Sequence, residues 1–319
     1  GSRAGFSPTA LEAYARCPFQ YFASRVLGVE SRQAGSSGEL EPAALGQLCH
    51  DALRLCYQAF IGEGQPIGDL AQQRIAEVVE RSVGQAFQTY ASTHGTGYAL
   101  IWQLAQEQVT RVVLATLEAD HEAARESGFQ PIDCEVEAKG TLPINEGVEP
   151  TLVKGRWDRV DRHPESGALR VIDYKYRANN RVEAKDRNLL QASLRAARLQ
   201  PALYSLMGAA SSTEEPSGSK PEQVDFLYLL PEGSPPVERV SFPTSAWKGA
   251  AGQALTGTLR VILTGIREGR FHILPDAYCS YCEFAAACRR SHQPTWWRAY
   301  RSAEAGGLRS LRTLKVPRE

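Results

Sequence analysis

Residues 168–177 read ALRVIDYKYR, and two of them are equipped for chemistry. The run is rich in β-branched and aromatic residues and follows the turn-prone HPESG, which predicts a β-strand. Alternate strand residues share a face, so Asp173 and Lys175 project together. A second carboxylate, Asp158, sits in the preceding strand-like run TLVKGRWDRVDR. A hairpin centred on Glu165 and Ser166 sets Asp158 opposite Asp173 and Arg156 opposite Lys175. Side chains directly opposite one another have Cβ atoms about 4.5–5.5 Å apart. Two carboxylates that close oppose each other's ionisation unless a cation lies between them. The donor set suits a hard divalent ion, Mg²⁺ or Mn²⁺. Lys175 then steadies an attacking hydroxide or the charge that builds on an attacked phosphate. For Asp173 and Lys175 alone, an exposed ion pair is the alternative; a solvated pair gains nothing from a facing Asp158.

The cysteines form a second constellation. CSYCEFAAAC places Cys279, Cys282 and Cys288 in a C-x₂-C-x₅-C run. The total of seven is odd and no secretory signal precedes them, which argues against a disulfide framework. Three close thiolates suggest structural zinc or an iron–sulfur cluster, and either wants a fourth ligand. Cys49 and Cys56, seven apart on one predicted helix, read as core, as does Cys134 at the start of a strand. Cys17 differs, because ARCPFQYF ends a short helix at Cys-Pro.

These residues need elements to position them. Ser7 followed by proline predicts an N-capped helix that breaks at Cys17-Pro18. A polar loop, 31–43, leads to a helix from about Ala43 through LGQLCHDALRLCYQAF. Two or three further helices run from Asp69 to about Ser127, broken at Gly95 and Gly97. The period then alternates: CEVEAKGTL, TLVKGRWDRVDR and ALRVIDYKYR predict three consecutive strands. Helical spacing returns over 188–208, followed by a disordered-looking loop at 209–223. VDFLYLL and VERVSF predict a strand pair, and about 245–269 a long helix. The expected fold is α/β, a small central mixed sheet flanked by helices. The predicted core spans about 43–275, with a helical insertion at about 67–127. One domain, 1–293, precedes an unpatterned basic tail, 294–319.

The 319 residues are 43% hydrophobic and 23% charged, with balanced charge, as in an ordinary soluble globular chain. No apolar run approaches the roughly 18 residues of a membrane span. Zero net charge argues weakly against a polyanion partner, since a local basic groove suffices. Gly1-Ser2 and the lack of an initiating methionine suggest a fragment of a longer chain. A cytoplasmic location is expected.

GRWDRVD, a turn, then VIDYKYR resembles the PD-(D/E)XK nuclease superfamily, although Trp157 stands where the family name has proline. LGQLCHDAL is similar to the histidine motif of its RecB-like branch, and QPALY to that branch's Q-x-x-x-Y motif. LEAYARCPFQYF resembles the opening of the iron–sulfur nucleases, AddB-type nuclease domains among them. The resemblance implies a restriction-endonuclease-like core. It implies His50, Asp158, Asp173 and the Tyr174 carbonyl around the metal, with Asp158, Asp173 and Lys175 catalytic. Gln200 and Tyr204 would meet substrate or support Lys175. It implies Cys17, Cys279, Cys282 and Cys288 around a 4Fe–4S cluster that staples the two ends of the domain. Four-thiolate zinc would use the same ligands.

The implied activity is metal-dependent hydrolysis of phosphodiester bonds at DNA ends, single-stranded above all. The implied setting is double-strand-break repair, beside a helicase–nuclease partner subunit or the remainder of the parent chain. Arg177, Arg181 and Lys185 are candidate phosphate contacts. No Walker A sequence is present, so ATP hydrolysis is not expected of this stretch. The alternatives are a catalytically silent DNA-binding or scaffold module and an iron–sulfur redox sensor.

Overall fold

The structure, a computed structural model, describes residues 5–29, 40–142, 144, 151–209 and 218–317. Most of the expected loops at 31–43 and 209–223 lies outside the described residues.

Ser7 caps α1 (Pro8–Arg16) by accepting from the Ala10 amide, and Cys17 interrupts the helix in an extended conformation before α2 (Pro18–Tyr21). Proline supplies no amide to the preceding turn, so the break at Pro18 follows from the covalent structure. Three long helices come next: α3 (Pro42–Glu63), α4 (Gln72–His94) and α5 (Ala99–Ser127). Gly64, Gly95 and Gly128 end them at positive φ.

The three expected strands are β1 (Gln130–Thr141), β2 (Leu152–Arg162) and β3 (Leu169–Tyr176), an antiparallel meander. β5 (Gln223–Leu229) runs parallel to β3, and β6 (Val237–Pro243) antiparallel to β5. A three-residue β4 (Met207–Ala209) completes a mixed sheet of order β4-β1-β2-β3-β5-β6. β3 is central and covered on both faces, so Leu169 through Tyr174 is continuously buried. A parallel step from β3 to β5 needs a crossover, and α6 (Ala184–Arg187), α7 (Leu189–Leu194) and α8 (Gln200–Tyr204) make it.

Each face of the sheet carries its own core. On one, Leu53, Tyr57 and Phe60 of α3 pack with α4, α5 and Ile172, Tyr174 and Leu227 of the sheet. On the other, Leu11 and Tyr14 of α1 meet Trp157, Val171, Phe226 and Leu203. Cys49, Cys56 and Cys134 are buried in the first core, as their spacing suggested.

Three expectations differ from the structure. The helix over 188–208 is broken into α7, α8 and β4. Ala196 sits at φ +55°, outside the helical region, and helix resumes only at Gln200, with Pro201 in the first turn of α8. The helix placed at about 245–269 begins at α9 (Ala250–Arg267), because Gly249 takes φ +64° and ends a separate turn at Thr244–Trp247. The tail is patterned: α10 (Gln293–Arg301) and α11 (Ala303–Leu311) form, and Ala305, Leu308 and Leu311 join the second core.

Under the α3–α5 face lies a buried ionic network. Arg159 holds Asp161 at 2.7 Å and Asp120 of α5 at 2.6 Å, and donates to the Tyr174 hydroxyl at 3.0 Å. Arg170 holds Asp161 at 2.8 Å, and Arg239 of β6 joins Asp225 at 2.6 Å and also Asp120. The Tyr57 hydroxyl donates to Asp120, and the Arg159 guanidinium lies over the Tyr57 ring. Asp120, Asp161 and Asp225 balance Arg159, Arg170 and Arg239. Burial alone would raise the Asp120 carboxyl, but Arg159 and Arg239 outweigh it and hold that carboxyl below the ordinary range.

Removing one member leaves an uncompensated buried charge. Asp120→Ala is expected to cost about 3–5 kcal/mol in denaturant unfolding. A loss under about 1 kcal/mol would show that the network does not tie α5 to the sheet. Because the folded Asp120 carboxyl is depressed, its contribution is complete above the ordinary carboxylate range. It is lost as pH falls toward the folded value, and Asp120→Ala is expected to flatten that acid-side decline.

Candidate metal centre

The expected hairpin register is the observed one: Arg162 pairs with Leu169, Asp161 with Arg170, Val160 with Val171 and Arg159 with Ile172. Regular pairing stops one step before Asp158 and Asp173. There Asp158 turns its Oδ2 to accept the Tyr174 amide at 2.8 Å. Arg156 does not settle against Lys175 but pairs with Glu135 at 2.7 Å. Glu135 lies where β1 passes Asp158, between the pairs Cys134–Arg159 and Val136–Trp157, with φ at +59°.

α3 brings the imidazole. Gly46 lets the helix close on β3: a Cβ there would stand 3.3 Å from the Tyr176 Cβ. One turn later, His50 Nε2 donates to the Tyr174 carbonyl at 3.1 Å, and Nδ1 lies 3.5 Å from Asp158 Oδ2. Burial is the main influence lowering the imidazole pKa, which favours the neutral form that binds metals.

α8 brings the amide and the phenol. Tyr204 donates to Asp173 Oδ1 at 3.2 Å, and Gln200 Nε2 approaches the same oxygen at 3.4 Å and the Tyr204 hydroxyl at 3.1 Å. Their support therefore falls on Asp173, not on Lys175. Asp173 Oδ2 faces the Lys175 ammonium as an ion pair and accepts no hydrogen bond among the described residues.

Lys175 Nζ also lies 5.6 Å from the centre of the Phe226 ring. Arg177 is engaged elsewhere, at 3.0 Å from Asp186 and over the Tyr228 ring. Arg181 is exposed, and the Lys185 side chain lies outside what the structure describes.

Burial first, and the Asp173 charge second, push the Asp158 carboxyl up to about 8. A buried carboxylate, Asp173, a half-buried one, Asp158, an imidazole and the Tyr174 carbonyl thus converge on one spot. The donor chemistry fits a hard divalent ion, which would relieve that repulsion. Among the described residues no three His, Cys, Asp or Glu side chains already stand as a closed metal cage.

One residue that the motifs did not single out positions the site. Glu12 of α1 is buried, and its Oε1 accepts the Leu199 amide at 2.6 Å and the Gln200 amide at 3.3 Å. It thereby fastens the start of α8. Only its neighbourhood to CPFQYF could have signalled it, since a Glu on an amphipathic helix ordinarily faces water.

Beyond the end of α1, Cys17, Cys279, Cys282 and Cys288 line one small pocket of about 10 Å³ with Tyr278 and Leu274. All four are free thiols. Burial first, then the approach of the other three, pushes the Cys288 thiol up. The Tyr278 hydroxyl bonds the Arg16 carbonyl at 3.2 Å, next to Cys17. The four share this pocket without standing as a formed metal site among the described residues.

A family model described as the PD-(D/E)XK nuclease superfamily matches residues 5–289. An ATP-dependent helicase/deoxyribonuclease subunit of Moorella thermoacetica is 31% identical over 180 residues, 53% of this chain and 15% of that protein. Its namesake from Bacillus subtilis is 31% identical over 188 residues, 55% of this chain and 15% of the relative. The namesake from Oceanobacillus iheyensis is 29% identical over 182 residues, 53% and 15%. The aligned stretch is thus a small part of those relatives. No helix of the described residues is long and apolar enough to cross a membrane.

The carboxylate pair makes the metal-free site unfavourable, so Asp158→Asn is expected to raise the melting temperature in chelator. A gain of about 1 kcal/mol corresponds to about 1.5 °C for 319 residues. Mg²⁺ should raise the melting temperature of the wild type and not that of the variant. Equal shifts in both would place the divalent site elsewhere.

Proposed function

Since the chain belongs to the PD-(D/E)XK nuclease superfamily, we propose that it is a divalent-metal-dependent exodeoxyribonuclease. It hydrolyses phosphodiester bonds at single-stranded DNA ends during double-strand-break repair, within a helicase–nuclease assembly. The names of the relatives support the deoxyribonuclease and helicase setting. The observation that carries the chemistry is the Asp158–Asp173 pair, half-buried and buried, flanked by His50, the Tyr174 carbonyl and Lys175.

His50, Asp158, Asp173 and the Tyr174 carbonyl would hold Mg²⁺ or Mn²⁺. When bound, that ion supplies Lewis acidity at the scissile phosphate. Tyr204 and Gln200 fix the Asp173 carboxylate through Oδ1, which leaves Oδ2 toward Lys175. The Tyr174 amide fixes Asp158 in the same way. Lys175 orients the attacking water or offsets charge on the phosphate as it is attacked. Gln200, which is partly exposed, would also meet a strand entering the site, whereas the buried Tyr204 would act through Asp173. Cys17, Cys279, Cys282 and Cys288 would hold a 4Fe–4S cluster whose role is to close the domain.

End-labelled single-stranded DNA is expected to be digested with Mg²⁺ or Mn²⁺ and spared in chelator. Asp173→Ala should lower the rate about 1,000-fold, and Lys175→Ala about 100-fold. Circular single strands should resist. Cleavage that persists in chelator or in Asp173→Ala would sink the metal site, and cleavage of circles would sink the exonuclease. Iron and acid-labile sulfide should accompany the wild type and be lost in Cys279→Ala; zinc in their place would rule out the cluster.

A further inference from the structure

α10 carries QPTWWRAYR, and of its nine residues only Ala299 is buried. Trp297 is 48% exposed and Tyr300 53%, although both are large and apolar. Their rings are ordered. Trp296 and Tyr300 stack with centres 5.1 Å apart and planes 5° from parallel, and Trp297 stands edge-on to both. Arg301 lies 5.2 Å over Trp297, and Arg309 of α11 lies 5.1 Å over Tyr300.

The charge here is one-sided. The whole chain balances 36 basic residues against 36 acidic, yet residues 289–317 hold seven Arg or Lys and one Glu. Arg289, Arg298 and Arg301 are exposed, and none of them forms an ion pair among the described residues. A cleft beside α10 is lined by Phe19, Phe271, His272, Arg289 and Arg298. Both ring nitrogens of His272 are buried there without a hydrogen-bond partner among the described residues.

A partner for this face must offer flat apolar surfaces and negative charge at close intervals. Single-stranded nucleic acid offers both, whereas an acidic peptide lacks the flat faces and a duplex hides them in its own stack. We propose that α10 is a stacking surface for single-stranded DNA, with bases on Trp297 and Tyr300 and phosphates on Arg289, Arg298 and Arg301. This deepens the nuclease reading and rests on it for the choice of DNA. The surface would hold the strand apart from the metal centre, by contacts that do not read sequence.

The test is anisotropy of labelled oligo(dT) with the whole 319-residue chain in chelator, so that nothing is cut. Trp297→Ala/Tyr300→Ala is expected to weaken binding about 5- to 30-fold, with an unchanged circular-dichroism spectrum. Arg298→Gln/Arg301→Gln should flatten the dependence of log Kd on log salt by about 0.7 per arginine. Unchanged oligo(dT) affinity in the aromatic variant, an equal loss on blunt duplex, or no oligo(dT) binding by the wild type would each overturn the stacking surface. Mg²⁺-dependent digestion is measured in parallel. A wild type that binds through α10 yet never cuts would refute the nuclease and leave the surface standing. A wild type that cuts normally while α10 substitutions change nothing would do the reverse.

Discussion

The Arg159 guanidinium stands in the middle of β2, is 2% exposed, and contacts two carboxylates, a hydroxyl and an aromatic face. Buried ion pairs add little net stability over apolar packing, but once built they are costly to break. Here they decide placement. Asp120 brings α5, Tyr57 brings α3, and Arg239 brings β6 to the same charge cluster. The Tyr174 hydroxyl is held on this side, and the Tyr174 carbonyl meets His50 from α3. The imidazole and the carbonyl are therefore registered against each other by a network that includes neither as a ligand.

Adjacent residues of β2 meet opposite electrostatic situations. Arg159 and Asp161 sit in a balanced set of three positive and three negative groups. Asp158, one residue away from Arg159, faces Asp173 with Lys175 as the nearby cation. The first arrangement is satisfied as it stands. The second leaves Asp158 reluctant to ionise, and an added cation would relieve it. Local instability concentrated at a well-braced site is the usual signature of function, because the surrounding structure must over-determine it. The bracing is visible in Tyr204, Gln200 and the Tyr174 amide, which leave the two carboxylates little freedom to swing apart.

The cysteine corner solves a different problem. α1 belongs to the second core, and α9 joins it there after the sheet is complete. Joining Cys17 to the segment at 279–288 closes a very long loop, for which the entropic cost grows only slowly with length. Tyr278 bonding to Arg16, and Arg312 to both Asp276 and the Arg16 carbonyl, hold the two ends in the same place without any metal.

Local patterning was enough to specify the strand meander, its register and the two long helices after α3; the order of the candidate site residues came from the family resemblance. Alternation, proline, glycine and cysteine spacing act over a few residues and need no distant partner. Asp158 and Asp173 were legible for that reason: a short hairpin relates them through one turn. Long-range contacts decided the rest. Nothing local distinguishes Glu12 from a solvated glutamate until α8 arrives against it, 187 residues later. The helical spacing over 188–208 was real, but the chain had to cross from β3 to β5 and gave up helix between Leu194 and Gln200, with Ala196 at positive φ. α10 and α11 looked like an unpatterned tail, because their few buried positions match a core assembled from distant parts of the chain. Periodicity records which face of a segment is apolar; only the assembled fold supplies the surface, or the opposite charge, that the face meets.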